Sequence, residues 1–203
     1  MNNFYQNYLT DKSFTLLTEF KRRYQFVLIG GWGVYFYTNA LKSKDIDIII
    51  DYSQLEKIKK DFPLEKNNKL RKYQIKVEEI DIDIYLPYYS KLGMPVEEII
   101  KKTTLVNGFI VLKKEFLLIT KLKAYQDRKN SVKGQKDLID IISLVLLEDF
   151  DCQYFLRLIK RYKLESIQKT LLEIIKKTKK IEEIHLNQHL FSKKRKILLE
   201  KFS

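Results

Sequence analysis

The chain has 203 residues, of which 45% are hydrophobic, and a formal net charge of +13. This length suits one ordinary domain, or a small α/β domain followed by a helical one, and the hydrophobic fraction predicts a buried core rather than a disordered chain. The single Cys152 excludes an intramolecular disulfide and a cysteine zinc cluster. No apolar run resembles a signal peptide or a membrane helix, so we expect a cytoplasmic protein without a membrane partner.

The positive charge is concentrated in the second half of the chain. Residues 1–100 hold 15 basic and 14 acidic side chains, whereas residues 101–203 hold 24 and 12. This asymmetry indicates a polyanionic partner, either nucleic acid or a nucleotide polyphosphate. An AT-rich or thermophilic genome would give a similar bias without any binding role, so composition alone leaves both interpretations open.

The hydrophobic pattern predicts a mixed α/β first half and an all-helical second half. In chain order we expect a helix at 13–24, a buried strand at 26–29, a helix at 32–40 and a strand at 45–51. A capping box at Ser53 then begins a helix, and strands follow at 71–77 and 79–86. The first half ends with a short helix at 95–102 and a hairpin at 104–112 that turns at Asn107-Gly108. Helices then follow at 113–128, 135–148, 150–162, 164–179 and 181–201. The predicted domains are an α/β core at 1–112 and a helical domain at 113–203.

Two aspartates in the 45–51 strand are the first candidates for chemistry. Asp45 and Asp47 are two residues apart, so both project from the face opposite the isoleucines. Neighbouring carboxylates repel each other unless a cation lies between them, and hard oxygen ligands suit Mg²⁺. A third carboxylate, from Asp81 or Asp83 on the next alternating strand, would complete a two-metal arrangement. An exposed edge strand whose acids simply face water would show the same alternation, and it remains the alternative.

A glycine pair precedes this strand. Gly30 and Gly31 lie between a predicted strand and a predicted helix, where glycines allow backbone N–H groups to approach a phosphate closely. A lone glycine pair is weak evidence. The order strand, Gly-Gly, helix, two-acid strand and third acidic strand is considerably more specific.

These elements resemble a known signature. Residues 28–33 (Leu-Ile-Gly-Gly-Trp-Gly) and 43–47 (Ser-Lys-Asp-Ile-Asp) are similar to the signature of the polymerase β-type nucleotidyltransferase superfamily, in particular its abortive-infection toxin (AbiEii-like) branch. Members of that branch carry a downstream helical lysine and a Lys-Asp pair followed by a second aspartate. Residues 121–124 (Lys-Leu-Lys-Ala) and 136–140 (Lys-Asp-Leu-Ile-Asp) match this order. The resemblance covers about 26–147.

The resemblance implies a small mixed β-sheet nucleotidyltransferase core with flanking helices, followed by a C-terminal helical bundle. It implies transfer of a nucleoside monophosphate from an NTP to an acceptor hydroxyl on RNA or protein, with Mg²⁺ or Mn²⁺, as the toxin of a pair with a cognate antitoxin. The implied metal ligands are Asp45, Asp47 and Asp83. The implied nucleotide-binding residues are Gly30, Gly31, Ser43, Lys121, Lys136, Asp137 and Asp140.

The chain departs from the pattern in two respects. Many superfamily members have Gly-Ser where this chain has Gly-Gly, so one hydroxyl ligand to phosphate is missing. The third acid is ambiguous, and Asp83 is favoured over Asp81 because the strand end that follows it better matches the relatives.

Several alternatives remain open at the level of sequence. The chain could be a catalytically inactive module that binds nucleotide or nucleic acid, or an antitoxin-like partner whose C-terminal helices mediate oligomerisation. Lys136 and Asp140 could form a simple surface ion pair. If the acceptor is RNA, we expect the helix that carries Lys121, Tyr125 and Arg128 and the helix that begins at Lys136 to form a basic wall facing the Asp45/Asp47 strand. The lysines at 176–177 should lie remote from it.

Overall fold

The structure is a computed structural model that describes residues 2–203, with side chains from residue 7 onward. The chain divides into two compact units: the chain up to residue 36 with residues 42–113, and residues 37–41 with 114–203. None of the helices in the described residues is both long and apolar enough to cross a membrane.

A mixed β-sheet forms the centre of the first unit. Within the described residues its strands are β1 (Val27–Ile29), β2 (Ile46–Ile49), β3 (Glu65–Asn67), β4 (Lys72–Val77), β5 (Ile80–Tyr85), β6 (Thr103–Val106) and β7 (Phe109–Leu112), in the order β3-β4-β5-β2-β1-β7-β6. The pairs β2–β5 and β1–β7 are parallel and the other pairs are antiparallel. The flanking helices are α1 (Asn2–Arg23), α2 (Gly30–Thr38), α3 (Tyr52–Asp61) and α4 (Val96–Ile99). The last two residues of α2 belong to the second unit.

The alternating strands β2 and β5 separate apolar from acidic side chains. Ile46 and Ile48 pair in parallel register with Ile82 and Ile84, and all four are fully buried. Because side chains alternate across a strand, the intervening aspartates project from the opposite face. The core on one face therefore fixes which way the acids point.

The helix that follows the glycine pair is anchored by Trp32. This side chain is 1% exposed, and its Nε1 donates to the Ser13 hydroxyl on α1 at 3.0 Å. Its ring also contacts Phe14 and Phe36. A buried tryptophan needs a partner for its N–H, which Ser13 provides. Trp32 belongs to the core.

Local boundaries in the first unit differ in places from the sequence prediction. Asp51, not Ser53, caps α3: its carboxylate accepts from the Gln54 backbone N–H at 2.8 Å and from the Ser53 hydroxyl at 2.7 Å. A carboxylate is a strong acceptor for the free N–H groups of a first turn. The hairpin is confirmed, since Asn107 and Gly108 both have positive φ, as a type I′ turn requires.

Helices make up the second unit. They are α5 (Lys114–Arg128), α6 (Val132–Val145), α7 (Cys152–Tyr162), α8 (Glu165–Lys177) and α9 (Gln188–Phe202), with a 3₁₀ turn at Glu182–Ile184. α6 begins three residues earlier than predicted because the Ser131 hydroxyl accepts from the Gly134 N–H at 3.0 Å. α9 begins later than predicted, after its cap at Asn187. The predicted fold class, a mixed α/β sheet with flanking helices followed by helices, is confirmed. The boundary between 112 and 113 stays a prediction about separate domains.

Candidate functional site

The candidate metal ligands of the first unit lie on or next to the neighbouring strands β2 and β5. Asp47 is the register partner of Asp83 across these parallel strands, and Asp45 immediately precedes β2. Asp81 instead pairs with Lys76 of β4. The structure therefore brings Asp83, rather than Asp81, beside Asp47. The role of Asp83 as a ligand stays a prediction.

Gly30 lies directly against one of these acids. It has a φ of +63°, in the left-handed region that favours glycine, and a Cβ atom placed on it would lie 2.1 Å from Asp47 Oδ2. A side chain at this position would therefore displace the carboxylate. The absence of a side chain lets the start of α2 pack against Asp47.

Gly31 makes the corresponding contact with Ser43. A Cβ atom on Gly31 would lie 2.8 Å from both Cβ and Oγ of Ser43. The Ser43 hydroxyl donates to the backbone carbonyl of Asp45 at 2.8 Å, which orders the turn into β2. Both glycines, the serine and the paired acids thus come together in one unit. Whether the glycine N–H groups contact a triphosphate stays a prediction.

Two residues beside the acids were not singled out from the sequence. Lys72 of β4 donates to Asp83 Oδ2 in a close ion pair, with the two side chains only 12% and 15% exposed. The Tyr85 hydroxyl lies 3.5 Å from Asp47 Oδ1, at the outer limit of a hydrogen bond. The signal for Tyr85 was its position two residues after Asp83 on the same strand. The signal for Lys72 was its place on the predicted strand at 71–77.

The donor chemistry suits a hard divalent cation. Carboxylate oxygens on a part-exposed sheet face are the ligands that Mg²⁺ takes, together with water and phosphate oxygens. Within residues 2–203, however, no three carboxylate, imidazole or thiol side chains are grouped so that they could hold a metal ion. Asp45 and Asp47 therefore fit as a two-carboxylate donor set, whereas Asp83 is engaged by the Lys72 ammonium. A three-carboxylate metal site stays a prediction.

Three of the predicted residues of the second unit, Lys121, Asp137 and Asp140, form an ionic cluster with Arg128 between α5 and α6. Lys121 Nζ lies 2.6 Å from Asp140 Oδ2 and 3.4 Å from Asp137 Oδ1. Arg128 binds Asp137 with two hydrogen bonds, of 2.7 and 3.0 Å. The Asp137 and Asp140 side chains are 1% and 5% exposed. We call these four residues the α5–α6 cluster.

Burial dominates the electrostatics of the α5–α6 cluster. Loss of solvation raises the pKa of Asp140 above its ordinary value, and the nearby Lys121 ammonium opposes that rise. A buried carboxylate of this kind is tolerated because it is paired and hydrogen-bonded. The cluster joins two helices through two buried carboxylates and the buried Lys121, whereas the Arg128 side chain is 41% exposed.

One alternative left open by the sequence and one expectation fail here. Asp140 is not half of a surface pair with Lys136, because it is buried against Lys121 while Lys136 is exposed. The predicted basic wall is also wrong for Lys121, which is 8% exposed and faces two carboxylates. A helix places i and i+3 or i+4 on one face, but the pattern does not say whether that face is solvated or packed. Whether Lys121, Lys136, Asp137 and Asp140 contact nucleotide stays a prediction.

Comparison with known proteins gives similarity at the level of solved structures. No family model matches the sequence, and no curated protein matches it. An antigenic nucleotidyltransferase-like protein from Paracoccidioides brasiliensis is 16% identical, with 80% of this chain and 91% of that chain covered and a TM-score of 0.41. A Helicobacter pylori protein named as a candidate nucleotidyltransferase is 15% identical, with 88% of each chain covered and a TM-score of 0.47. Similarity at these levels does not assign an activity or a substrate to this chain.

Proposed function

We propose that this protein is a metal-dependent nucleotidyltransferase that transfers a nucleoside monophosphate from an NTP to an acceptor hydroxyl on RNA or protein. The observation that supports the proposal best is the packing of Asp47 against Gly30, at the start of a helix and beside Asp83. A helix N-terminus attracts phosphate and paired carboxylates attract cations. The two features together suit a nucleoside triphosphate with its divalent cation.

The proposed reaction is a displacement at the α-phosphorus. The acceptor oxygen forms a bond to that phosphorus, the bond to the α,β-bridging oxygen breaks, pyrophosphate leaves with the electron pair, and the hydroxyl proton passes to solvent. Asp45 and Asp47 would hold Mg²⁺ or Mn²⁺, which neutralises phosphate charge and polarises the reacting oxygens when bound. Gly30 and Gly31 would offer backbone N–H groups to the phosphates, and Ser43 would keep the Asp45 turn in place.

The Lys72–Asp83 pair favours a second candidate function. A lysine ammonium that neutralises the third carboxylate would suit a catalytically inactive module that binds nucleotide or nucleic acid without transfer. We propose transfer as the first candidate because Asp45 and Asp47 are part-exposed acids and Asp47 lies against Gly30 at the start of α2. The role as toxin to a cognate antitoxin belongs to the same proposal.

Incubation with α-³²P-labelled NTPs tests the proposal. Each NTP is mixed with the purified protein, Mg²⁺ or Mn²⁺, and either total RNA or cell lysate, and the RNA and protein fractions are analysed for label. We expect one NTP to label one fraction in a metal-dependent way, and Asp47→Asn to reduce the label at least about a thousandfold because it removes a metal ligand. Binding of NTP without labelling of any fraction would establish the inactive module instead.

A further inference from the structure

A cavity of about 590 Å³ lies within the second unit, bordered by α5, α6, α8 and the segment that follows α8. Four lysines line it: Lys129, Lys177, Lys179 and Lys180. Glu173 is the one acidic side chain among the described lining residues. The lining therefore carries a net charge of about +3, which favours an anionic ligand.

The lysines are not tied into strong internal ion pairs. Lys177 lies 3.4 Å from Glu173, and Lys180 lies 2.6 Å from Glu182. In both pairs the lysine and the glutamate side chains are at least 66% exposed, so each pair is screened by solvent and contributes little to stability. A phosphate could replace either carboxylate as the partner of a lysine at small cost.

The cavity offers a ring as well as charge. Tyr125 lines it and is half-buried, so one face of a nucleobase could stack on the phenol ring. Gln135 adds a side-chain amide, which can both donate and accept hydrogen bonds. The volume lies within the usual range for ligand sites, but the lining is basic and polar rather than apolar. Positive charge, a stacking surface and an amide together suit a nucleoside phosphate.

We propose that this cavity binds one nucleotide unit of a single-stranded RNA. A free nucleotide has the same chemistry, but the surrounding unit favours the polymer: residues 114–203 hold 21 basic and 12 acidic side chains. A field of that sign attracts a polyanion through many phosphates, whereas the cavity itself contacts only one or two. This proposal rests on the proposed function only in that the bound RNA would be the acceptor of nucleotidyl transfer. RNA binding itself is measured without NTP. Loss of RNA binding and loss of nucleotidyl transfer are therefore distinguishable.

Two neighbouring lysines on α8 provide a matched pair of variants. Lys177 lines the cavity, whereas the adjacent Lys176 is exposed and does not. Both substitutions to glutamate change the net charge of the protein equally, so a diffuse field would respond equally to each. The sequence alone predicted that both lysines lie remote from bound RNA, whereas in the structure only Lys177 lines the cavity.

The test is the fluorescence anisotropy of a labelled 12-nucleotide single-stranded RNA in EDTA without NTP. We expect Lys177→Glu to weaken binding at least tenfold and Lys176→Glu less than twofold, with unchanged unfolding temperatures. Lys129→Glu should weaken binding in the same way and reduce its salt dependence. Equal losses from Lys176→Glu and Lys177→Glu, or no RNA binding, would overturn the proposal. Competition by ATP or pyrophosphate that depends on Lys177, with RNA binding independent of Lys177, would reassign the cavity to a free nucleotide.

Discussion

Carboxylate side chains lie beside basic side chains in both units of this protein, but in different surroundings. On the sheet face Asp45 and Asp47 are part-exposed, and Asp47 lies against the bare backbone of Gly30. In the α5–α6 cluster Asp137 and Asp140 are almost completely buried. Acids that solvent reaches can exchange their partners, whereas buried acids depend on fixed ones. We therefore expect the acids of the sheet face to bind exchangeable ligands, and those of the α5–α6 cluster to stabilise the packing of the two helices.

The largest expected effect on stability is the loss on substituting Asp137. Asp137→Asn removes the partner of Arg128 and one partner of Lys121 from a site that is 1% exposed. Breaking a buried charge pair from one side typically costs several kcal/mol, so we expect the free energy of unfolding to fall by about 3 kcal/mol. Urea denaturation measures this change.

Asp127 provides the matched control for Asp137. It pairs with Lys123 at i,i+4 on α5, with both side chains well exposed. Asp127→Asn should change the free energy of unfolding by no more than about 0.5 kcal/mol. A similar loss in both variants would mean that burial does not distinguish the cluster from surface pairs.

A smaller effect is expected at Lys72, and it would sharpen the account of the sheet face. Lys72→Met removes the ammonium that binds Asp83, so this carboxylate becomes available to a divalent cation. We expect Mg²⁺ to bind about tenfold more tightly, a change of about 1.4 kcal/mol, by isothermal titration calorimetry. Lys76→Met is the control, since Lys76 is exposed on the same strand. Unchanged Mg²⁺ affinity in Lys72→Met would exclude Asp83 from the cation site.

The first unit was largely predictable because its signals are local. Strict alternation identified β2 and β5, and Asn107-Gly108 identified the hairpin, since each reflects backbone geometry within a few residues. The strand β3 was missed because its residues are polar and mostly exposed, so they carry no hydrophobic pattern. The ion pair between Lys72 and Asp83 was missed because it depends on the pairing of β4 with β5.

The second unit was predictable in its helices but not in the role of its charges. The motif residues Lys121, Asp137 and Asp140 were recognised, but their burial depends on how α5 packs against α6. Helical spacing gives the face of a single helix and leaves the neighbour of that face undetermined. The cavity beside Tyr125 and Lys177 has the same origin, since it is lined by three helices and a following segment.

The free energy of unfolding of Asp47→Asn, measured in EDTA, tests most directly whether the acids of the sheet face are available ligands or structural partners. We expect it to equal or exceed that of the unsubstituted protein, because the change removes a negative charge beside Asp83 and Asp45 from a side chain that solvent reaches. A loss of about 2 kcal/mol or more would show the opposite. It would show that the acids of the sheet face hold the fold together, as those of the α5–α6 cluster do.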